Sequence, residues 1–115
     1  MVCMLEQFFL TVFLVQVFHS IEELTTGFYK RWYLMKMPFS TFLLFEIVFT
    51  LFWIFVLLTP QFPFRLDLQK FFLLLMFANG VQHLVWWGVI KRYVPGLITA
   101  FLHVIVFAIY YFDAF

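Results

Sequence analysis

Residues 39–58 read FSTFLLFEIVFTLFWIFVLL, an apolar run in which Glu46 is the only charged residue. An α-helix rises about 1.5 Å per residue, so a run of this length spans the roughly 30 Å hydrocarbon core of a bilayer. Backbone groups inside a bilayer must be hydrogen-bonded within the segment itself, which a helix achieves. The run therefore predicts a transmembrane helix.

Three further stretches have a similar length and apolar character. With the first run, they predict helices over about 4–25, 39–58, 68–90 and 95–112. Pro60 and Pro63 follow the second of these, and Gly27 closes the first. Pro95 suits the first turn of the fourth, where a missing N–H costs nothing. We therefore expect an all-α integral membrane protein in which four transmembrane helices form a bundle.

The composition agrees with this fold class. Apolar residues make up 66% of the 115-residue chain and charged residues 11%, against roughly 45–50% and about 25% in soluble domains. The length suits a single domain, predicted to cover residues 1–115. A net charge of +1 offers no basic field to attract nucleic acid, so we expect no nucleic-acid partner. The lone Cys3 cannot close an intrachain disulfide.

Basic residues in the short connections predict the orientation, because Lys and Arg are retained on the cytoplasmic side. The connections after the first and third predicted helices carry Lys30, Arg31, Lys36, Lys91 and Arg92. The connection region after the second carries only Arg65 and Lys70, with Asp67 partly offsetting them. We expect a multi-pass protein with both termini outside.

Ionisable side chains interrupt every predicted helix, and each costs several kcal/mol at membrane depth unless it is partnered. Measured from the cytoplasmic end of each helix, His19 lies about 9 Å deep, Glu46 and His83 about 10 Å, and His103 about 12 Å. This shared depth predicts that these side chains meet in the inner half of the membrane.

Each predicted helix carries its polar residues on one face. The sets spaced three or four residues apart are His19 with Glu22 and Glu23, Asn79 with His83, Thr99 with His103, and Glu46 with Thr50. Four polar faces are buried at least cost against one another. We therefore predict an intramembrane polar pocket that opens toward the cytoplasm.

Three motifs follow one another in the chain: His19-Ser-Ile-Glu22-Glu23, Asn79-Gly-Val-Gln-His83 and Tyr93-Val-Pro95-Gly96-Leu-Ile-Thr99. They resemble the HXXEE, NxxxH and YxPGxxT motifs of the HXXEE family of small integral membrane proteins, whose biochemistry is uncharacterised. The resemblance runs from residue 19 to residue 99. It implies a functional core of His19, Glu22, Glu23, Asn79, His83, Tyr93, Pro95, Gly96 and Thr99.

Imidazole and carboxylate groups that project inward from several helices are how bundle proteins hold zinc or iron. The candidate metal ligands are His19, Glu22, Glu23, Glu46, His83 and His103. We expect Asn79, Tyr93 and Thr99 to orient these ligands without binding the metal themselves. HxxEE lacks the second His of the zinc motif HExxH, so the assignment of a zinc protease does not follow. The predicted cofactor is a divalent metal, zinc or iron.

Two further hypotheses need no metal. In one, His19, Glu22, Glu23 and His83 are the catalytic acid and base groups of an isomerase-like enzyme or a proton-coupled transporter. In the other, the polar residues only join the helices, although neutral polar side chains would do this at lower cost. The metal and acid–base hypotheses share one expected partner, a lipid or small hydrophobic molecule that arrives through the bilayer. A homo-oligomer is compatible with the sequence.

Overall fold

A computed structural model of the protein describes residues 4–114 and contains helices but no strands over that range. The helices are α1 (Met4–Thr26), α2 (Phe28–Arg31), α3 (Phe39–Leu58), α4 (Arg65–Ile90) and α5 (Leu97–Ala114). Cys3 lies outside the described residues. The helices α1, α3 and α4 are long and apolar enough to cross a membrane, and α5 is a shorter apolar helix.

The helix boundaries lie within one residue of the sequence predictions except at the start of α4 and at both ends of α5, and the short helix α2 was not predicted. The helix α4 begins at Arg65, three residues before its predicted start, and α5 begins at Leu97 instead of Pro95. Gly96 has a φ of 88°, in the left-handed region, so the backbone at this residue is not helical. The predicted start at Pro95 was therefore wrong, and Pro95 belongs to the turn that precedes the helix.

Polar contacts tie the connections together at the two ends of the bundle. At one end, the Arg31 guanidinium of α2 donates a hydrogen bond to the carbonyl of Tyr93, joining α2 to the connection before α5. At the other end, Arg65 forms an ion pair with Glu6 of α1. The amino end of α1 and the connection between α3 and α4 therefore share one end of the molecule.

The core is divided into layers along the bundle. An apolar cluster that includes Phe9, Trp53 and Phe72 fills one half, and a second cluster that includes Phe28 and Trp86 fills the other. Between them lies a layer of buried polar side chains: Gln16, His19, Ser20, Glu23, Glu46, His83, Thr99 and His103. This polar layer lies inside the helix bundle, as the spacing of the residues predicts.

The helices α4 and α5 approach closely where Gly80 faces the carbonyl of Ala100. A Cβ atom at Gly80 would lie 2.9 Å from that oxygen and 3.2 Å from the Cβ of His103. The close approach brings His103 of α5 into the polar layer. The absence of a side chain at Gly80 therefore helps to position one of the three imidazoles.

Candidate metal centre

Two imidazoles and one carboxylate converge in the middle of the polar layer. His19 and Glu23 lie one turn apart on α1, and His83 comes from α4. Oε2 of Glu23 lies 3.2 Å from Nε2 of His19 and 3.1 Å from Nε2 of His83. The three residues are 0%, 4% and 0% exposed. Each offers one ligand atom, and the three ligand atoms lie within 4.8 Å of one another. Of the predicted metal ligands, these three form the compact group.

The distances between these atoms are compatible with a bound metal ion as well as with hydrogen bonds. Neither Nε2 of His19 nor Nε2 of His83 has a hydrogen bond of acceptable geometry among residues 4–114. Zinc binds imidazole nitrogen and carboxylate oxygen at about 2.0–2.2 Å, which separates neighbouring ligands of a tetrahedral ion by about 3.3 Å. The two nitrogen–oxygen distances are therefore close to the separation expected between two ligand atoms of one tetrahedral zinc ion.

A hydrogen-bonded chain from Glu22 through Thr99 fixes the tautomer of His19. The Thr99 hydroxyl donates to Oε1 of Glu22 at 2.7 Å, because an ionised carboxylate can only accept. Nδ1 of His19 lies 2.7 Å from the same hydroxyl oxygen and must donate its proton to it. A neutral His19 then carries a lone pair on Nε2, the atom that faces Glu23. Such an outer hydrogen bond is typical of metal-binding histidines.

The carboxylate of Glu22, the neighbour of Glu23, is hydrogen-bonded to the start of α5. Its carboxylate accepts from the backbone N–H groups of Ile98 and Thr99 at 3.2 and 3.0 Å, and from the Tyr93 hydroxyl. Burial, followed by this hydrogen bond to Glu22, raises the pKa of Tyr93 above its usual value, so the hydroxyl remains a donor at neutral pH. The geometry therefore makes Glu22 a cap of α5 and separates it from the compact group that Glu23 joins.

The turn before α5 covers the convergence of imidazoles. Gly96 lies so close that a Cβ atom there would be 2.8 Å from Cε1 of both His19 and His83, and 3.1 Å from Cγ of Glu23. The Tyr93-Val-Pro95-Gly96 segment is therefore a cover on the group as well as a turn that leads into a helix. The compact group is buried beneath this segment, and an opening of the polar layer toward the cytoplasm stays a prediction.

His103 and Glu46 belong to a second hydrogen-bonded chain beside the first. Nε2 of His103 lies 2.9 Å from the amide oxygen of Gln16, whose amide nitrogen donates to the Ser20 hydroxyl at 3.3 Å. Ser20 in turn donates to Oε2 of Glu46 at 2.7 Å. The rings of His103 and His19 are 5.3 Å apart, centroid to centroid. These two predicted ligands therefore flank the compact group.

Sequence reasoning missed Gln16 and Ser20 as members of the site. The available signal was their spacing, since Gln16, His19, Ser20 and Glu23 follow one another at alternating steps of three and one residues along one face of α1. Both side chains are buried, Gln16 at 6% and Ser20 at 7% exposure. They carry the hydrogen bonds that connect His103 to Glu46.

Asn79 lies apart from the compact group. Its side-chain oxygen accepts from the amide of Gln82 at 3.2 Å, and the Gln82 oxygen accepts from the Trp32 indole at 3.1 Å. His83 instead packs against the rings of Phe28 and Trp86, with centroid separations of 5.7 and 6.1 Å. Gln82 therefore joins α4 to the connection before α3, and Asn79 is its hydrogen-bond partner on the same helix. Among the described residues, no hydrogen bond links Asn79 to His83.

The identity of the three ligand residues limits the kinds of chemistry that the compact group can support. Two His and one carboxylate with a remaining open position are typical of catalytic zinc sites, and the same set binds iron(II) as a facial triad. Both ions can polarise an oxygen of a substrate or lower the pKa of bound water. The compact group can therefore support metal chemistry, and its imidazole–carboxylate contacts can also hold and transfer a proton.

Comparison with known proteins gives one match. A family profile described as "Protein of unknown function with HXXEE motif" matches residues 10–111. Searches of curated proteins and of solved structures gave no match. The family match covers most of the chain and includes all three motifs. The chain therefore belongs to the HXXEE family.

Proposed function

We propose that the protein is a membrane-embedded metal-binding protein in which His19, Glu23 and His83 hold one zinc or iron ion. The ion and the surrounding acid–base groups would bind, or act on, a lipid-soluble small molecule within the bilayer. The proposal includes four membrane spans in one domain, with α5 as the fourth, and both termini outside.

One observation carries the proposal, the contact between Nε2 of His19 and Glu23. The Thr99 hydroxyl places the His19 proton on Nδ1, so two atoms with lone pairs face each other at 3.2 Å. Two such atoms repel each other unless a cation or a shared proton lies near both of them. The nearby Nε2 of His83 adds a third donor atom, which favours a metal ion over a proton.

The metal content of the purified protein tests the proposal. We expect about one equivalent of zinc or iron in protein purified in detergent without chelator, and loss of the metal from the His83→Ala and Glu23→Gln variants. Gln82→Ala, on the same helix as His83 but outside the compact group, is the matched control and should keep its metal. A ligand at about 100 times its dissociation constant stabilises the folded state by about 2.7 kcal/mol, so metal should also raise the unfolding temperature.

The contrary result is equally defined. Substoichiometric metal in the unaltered protein, with no rise in unfolding temperature on adding zinc, iron(II) or manganese, would refute metal binding at this site.

Metal-free proton transfer is the second candidate function, and the chain from Glu22 through Thr99 to His19 favours it. In this case His19 is an imidazolium that shares its Nε2 proton with Glu23. A chelator would then leave the unfolding temperature unchanged, whereas His19→Gln would still lower it. Metal content and chelator response therefore separate the two functions before any substrate is identified.

A further inference from the structure

A groove between α1 and α3 opens on the side of the bundle. This α1/α3 groove has a volume of about 240 Å³, and its lining includes Val17, Ser20, Ile21, Leu43, Glu46 and Ile47. Ile21 is 51% exposed and Ile47 is 47% exposed, so both lie on the outer surface of the helices. In a bundle that spans a bilayer, this surface faces lipid. The groove is therefore accessible from the hydrocarbon core.

The wall of the groove is apolar except for three polar side chains, those of Ser20, Glu46 and Thr50. The Glu46 carboxylate is held there by the Ser20 hydroxyl at 2.7 Å, and the Thr50 hydroxyl lies one turn farther along α3. Apart from Glu46, no charged residue lines the groove. An acidic head group would be repelled by Glu46, and a cationic one would have to give up its hydration deep in the membrane.

We propose that the α1/α3 groove binds a single-chain neutral lipid whose hydroxyl head group donates a hydrogen bond to Glu46. The volume lies just below the roughly 300–1,000 Å³ of pockets for drug-sized ligands, which favours one slender chain over a sterol or a two-chain phospholipid. This inference rests on the proposed function, because it names the class of molecule on which that function would act.

The groove is connected to the candidate metal centre by hydrogen bonds. From Glu46 the chain runs through Ser20 and Gln16 to His103, whose ring lies beside that of His19. A head group at Glu46 would therefore lie at the edge of the same polar layer as the compact group.

Photo-crosslinking tests the groove directly. The probe is a long-chain fatty alcohol that carries a diazirine and an alkyne, added to the protein in phosphatidylcholine vesicles. We expect the crosslinked peptides to come from α1 and α3 at the groove. Unlabelled fatty alcohol should compete for labelling, whereas the matching fatty acid and excess phospholipid should compete far less.

Two neighbouring substitutions on α3 provide a matched pair. Leu43→Trp narrows the groove and should lower labelling by about tenfold, whereas Leu44→Trp adds the same bulk at a lipid-facing residue that is 62% exposed and should leave labelling unchanged. Glu46→Gln removes the charge but keeps a hydrogen-bonding group, so it should retain labelling and admit the fatty acid as a competitor.

The outcomes separate this inference from the proposed function. Groove labelling of a protein that contains substoichiometric metal and shows no rise in unfolding temperature on adding metal supports the neutral-lipid site and refutes the metal centre. Metal binding with labels spread evenly over all lipid-facing helices overturns the neutral-lipid site, as does equal labelling of the Leu43→Trp and Leu44→Trp variants. Equal competition by fatty acid and fatty alcohol against the unaltered protein also overturns it.

Discussion

Adjacent residues of one motif can have different partners, and Glu22 and Glu23 do. Successive side chains on a helix point about 100° apart, so two adjacent residues do not contact the same group. Glu23 points into the polar layer toward two imidazoles, and Glu22 points toward the first turn of α5. The structure thus assigns a helix-capping contact to one glutamate and the imidazole contacts to the other.

Substitution of each glutamate by glutamine should separate these two contacts. Glu23→Gln should abolish metal binding, because the neutral amide is a poor replacement for a carboxylate ligand. Glu22→Gln should keep the metal stoichiometry and lower stability by about 1 kcal/mol, because a charged cap at a helix amino terminus is lost. Elemental analysis and thermal unfolding of both variants measure the difference. Loss of metal from both alike would contradict separate roles.

Thr99 should influence metal affinity without touching the ion. Thr99→Val keeps the shape of the side chain but removes the oxygen that accepts from Nδ1 of His19, so the His19 tautomer is no longer fixed. Loss of such an outer hydrogen bond reduces metal affinity by about 10–100-fold. Competition with a chromophoric chelator measures the change.

The control for that substitution is Thr11→Val, which loses only an exposed hydrogen bond to the carbonyl of Gln7. Its zinc affinity should equal that of the unaltered protein. Equal affinities in the Thr99→Val and Thr11→Val variants would show that the Thr99 hydroxyl does not orient a metal ligand.

At the residue scale, the sequence predicted the meeting of His19, Glu23 and His83 because depth and helical spacing are both readable from residue numbers. It did not predict the partners of Glu22, because these depend on the residue at which α5 begins. Nor did it predict that Asn79 would contact Gln82, since spacing places Asn79 and His83 on one face but does not specify a hydrogen bond.

At the scale of the elements, the turn before α5 determines the geometry of the centre. Sequence predicted a helix from Pro95 because proline suits a first turn, but the left-handed Gly96 delays the helix to Leu97. That delay leaves the N–H groups of Ile98 and Thr99 free of helical partners and available to Glu22. The left-handed φ of Gly96, in the YxPGxxT motif, therefore frees the N–H groups that hydrogen-bond to Glu22 of the HXXEE motif.

Gly96→Ala should disrupt the centre both by direct contact with the imidazoles and by strain in the turn. The new methyl group would collide with Cε1 of both His19 and His83, and the φ of 88° is strained for alanine, at a cost of about 1–3 kcal/mol. We expect a lower unfolding temperature and weaker metal binding. Gly88→Ala is the control, because a Cβ atom there meets nothing within 4 Å. Full metal binding by the Gly96→Ala variant would contradict the close cover described here.

At the scale of the whole molecule, the hydrophobic pattern specifies the bundle and the ends of its helices define two sides. The contact between Arg31 and Tyr93 places the connections before α3 and before α5 together, and the Glu6–Arg65 pair marks the opposite end. Basic residues are concentrated at the first of these ends. The end that faces the cytoplasm is inferred from the tendency of cells to retain positive charge on that side of the membrane. The folded structure alone does not determine it.

Single cysteines introduced at Lys36, Gln61 and Asp113, in a chain that carries Cys3→Ser, test orientation and the number of spans together. If both termini are outside and α5 is a fourth span, a membrane-impermeant maleimide should label Gln61→Cys and Asp113→Cys in intact cells, and Lys36→Cys only after the cells are opened. Labelling of Lys36→Cys alone in intact cells would reverse the orientation. Labelling of Gln61→Cys without Asp113→Cys would leave α5 on the cytoplasmic side of a three-span protein. The carboxylate of Glu22 would then cap a helix that does not cross the membrane. The polar layer would in that case be covered on one side by a helix in the cytoplasm and would not lie within a bundle of four spans.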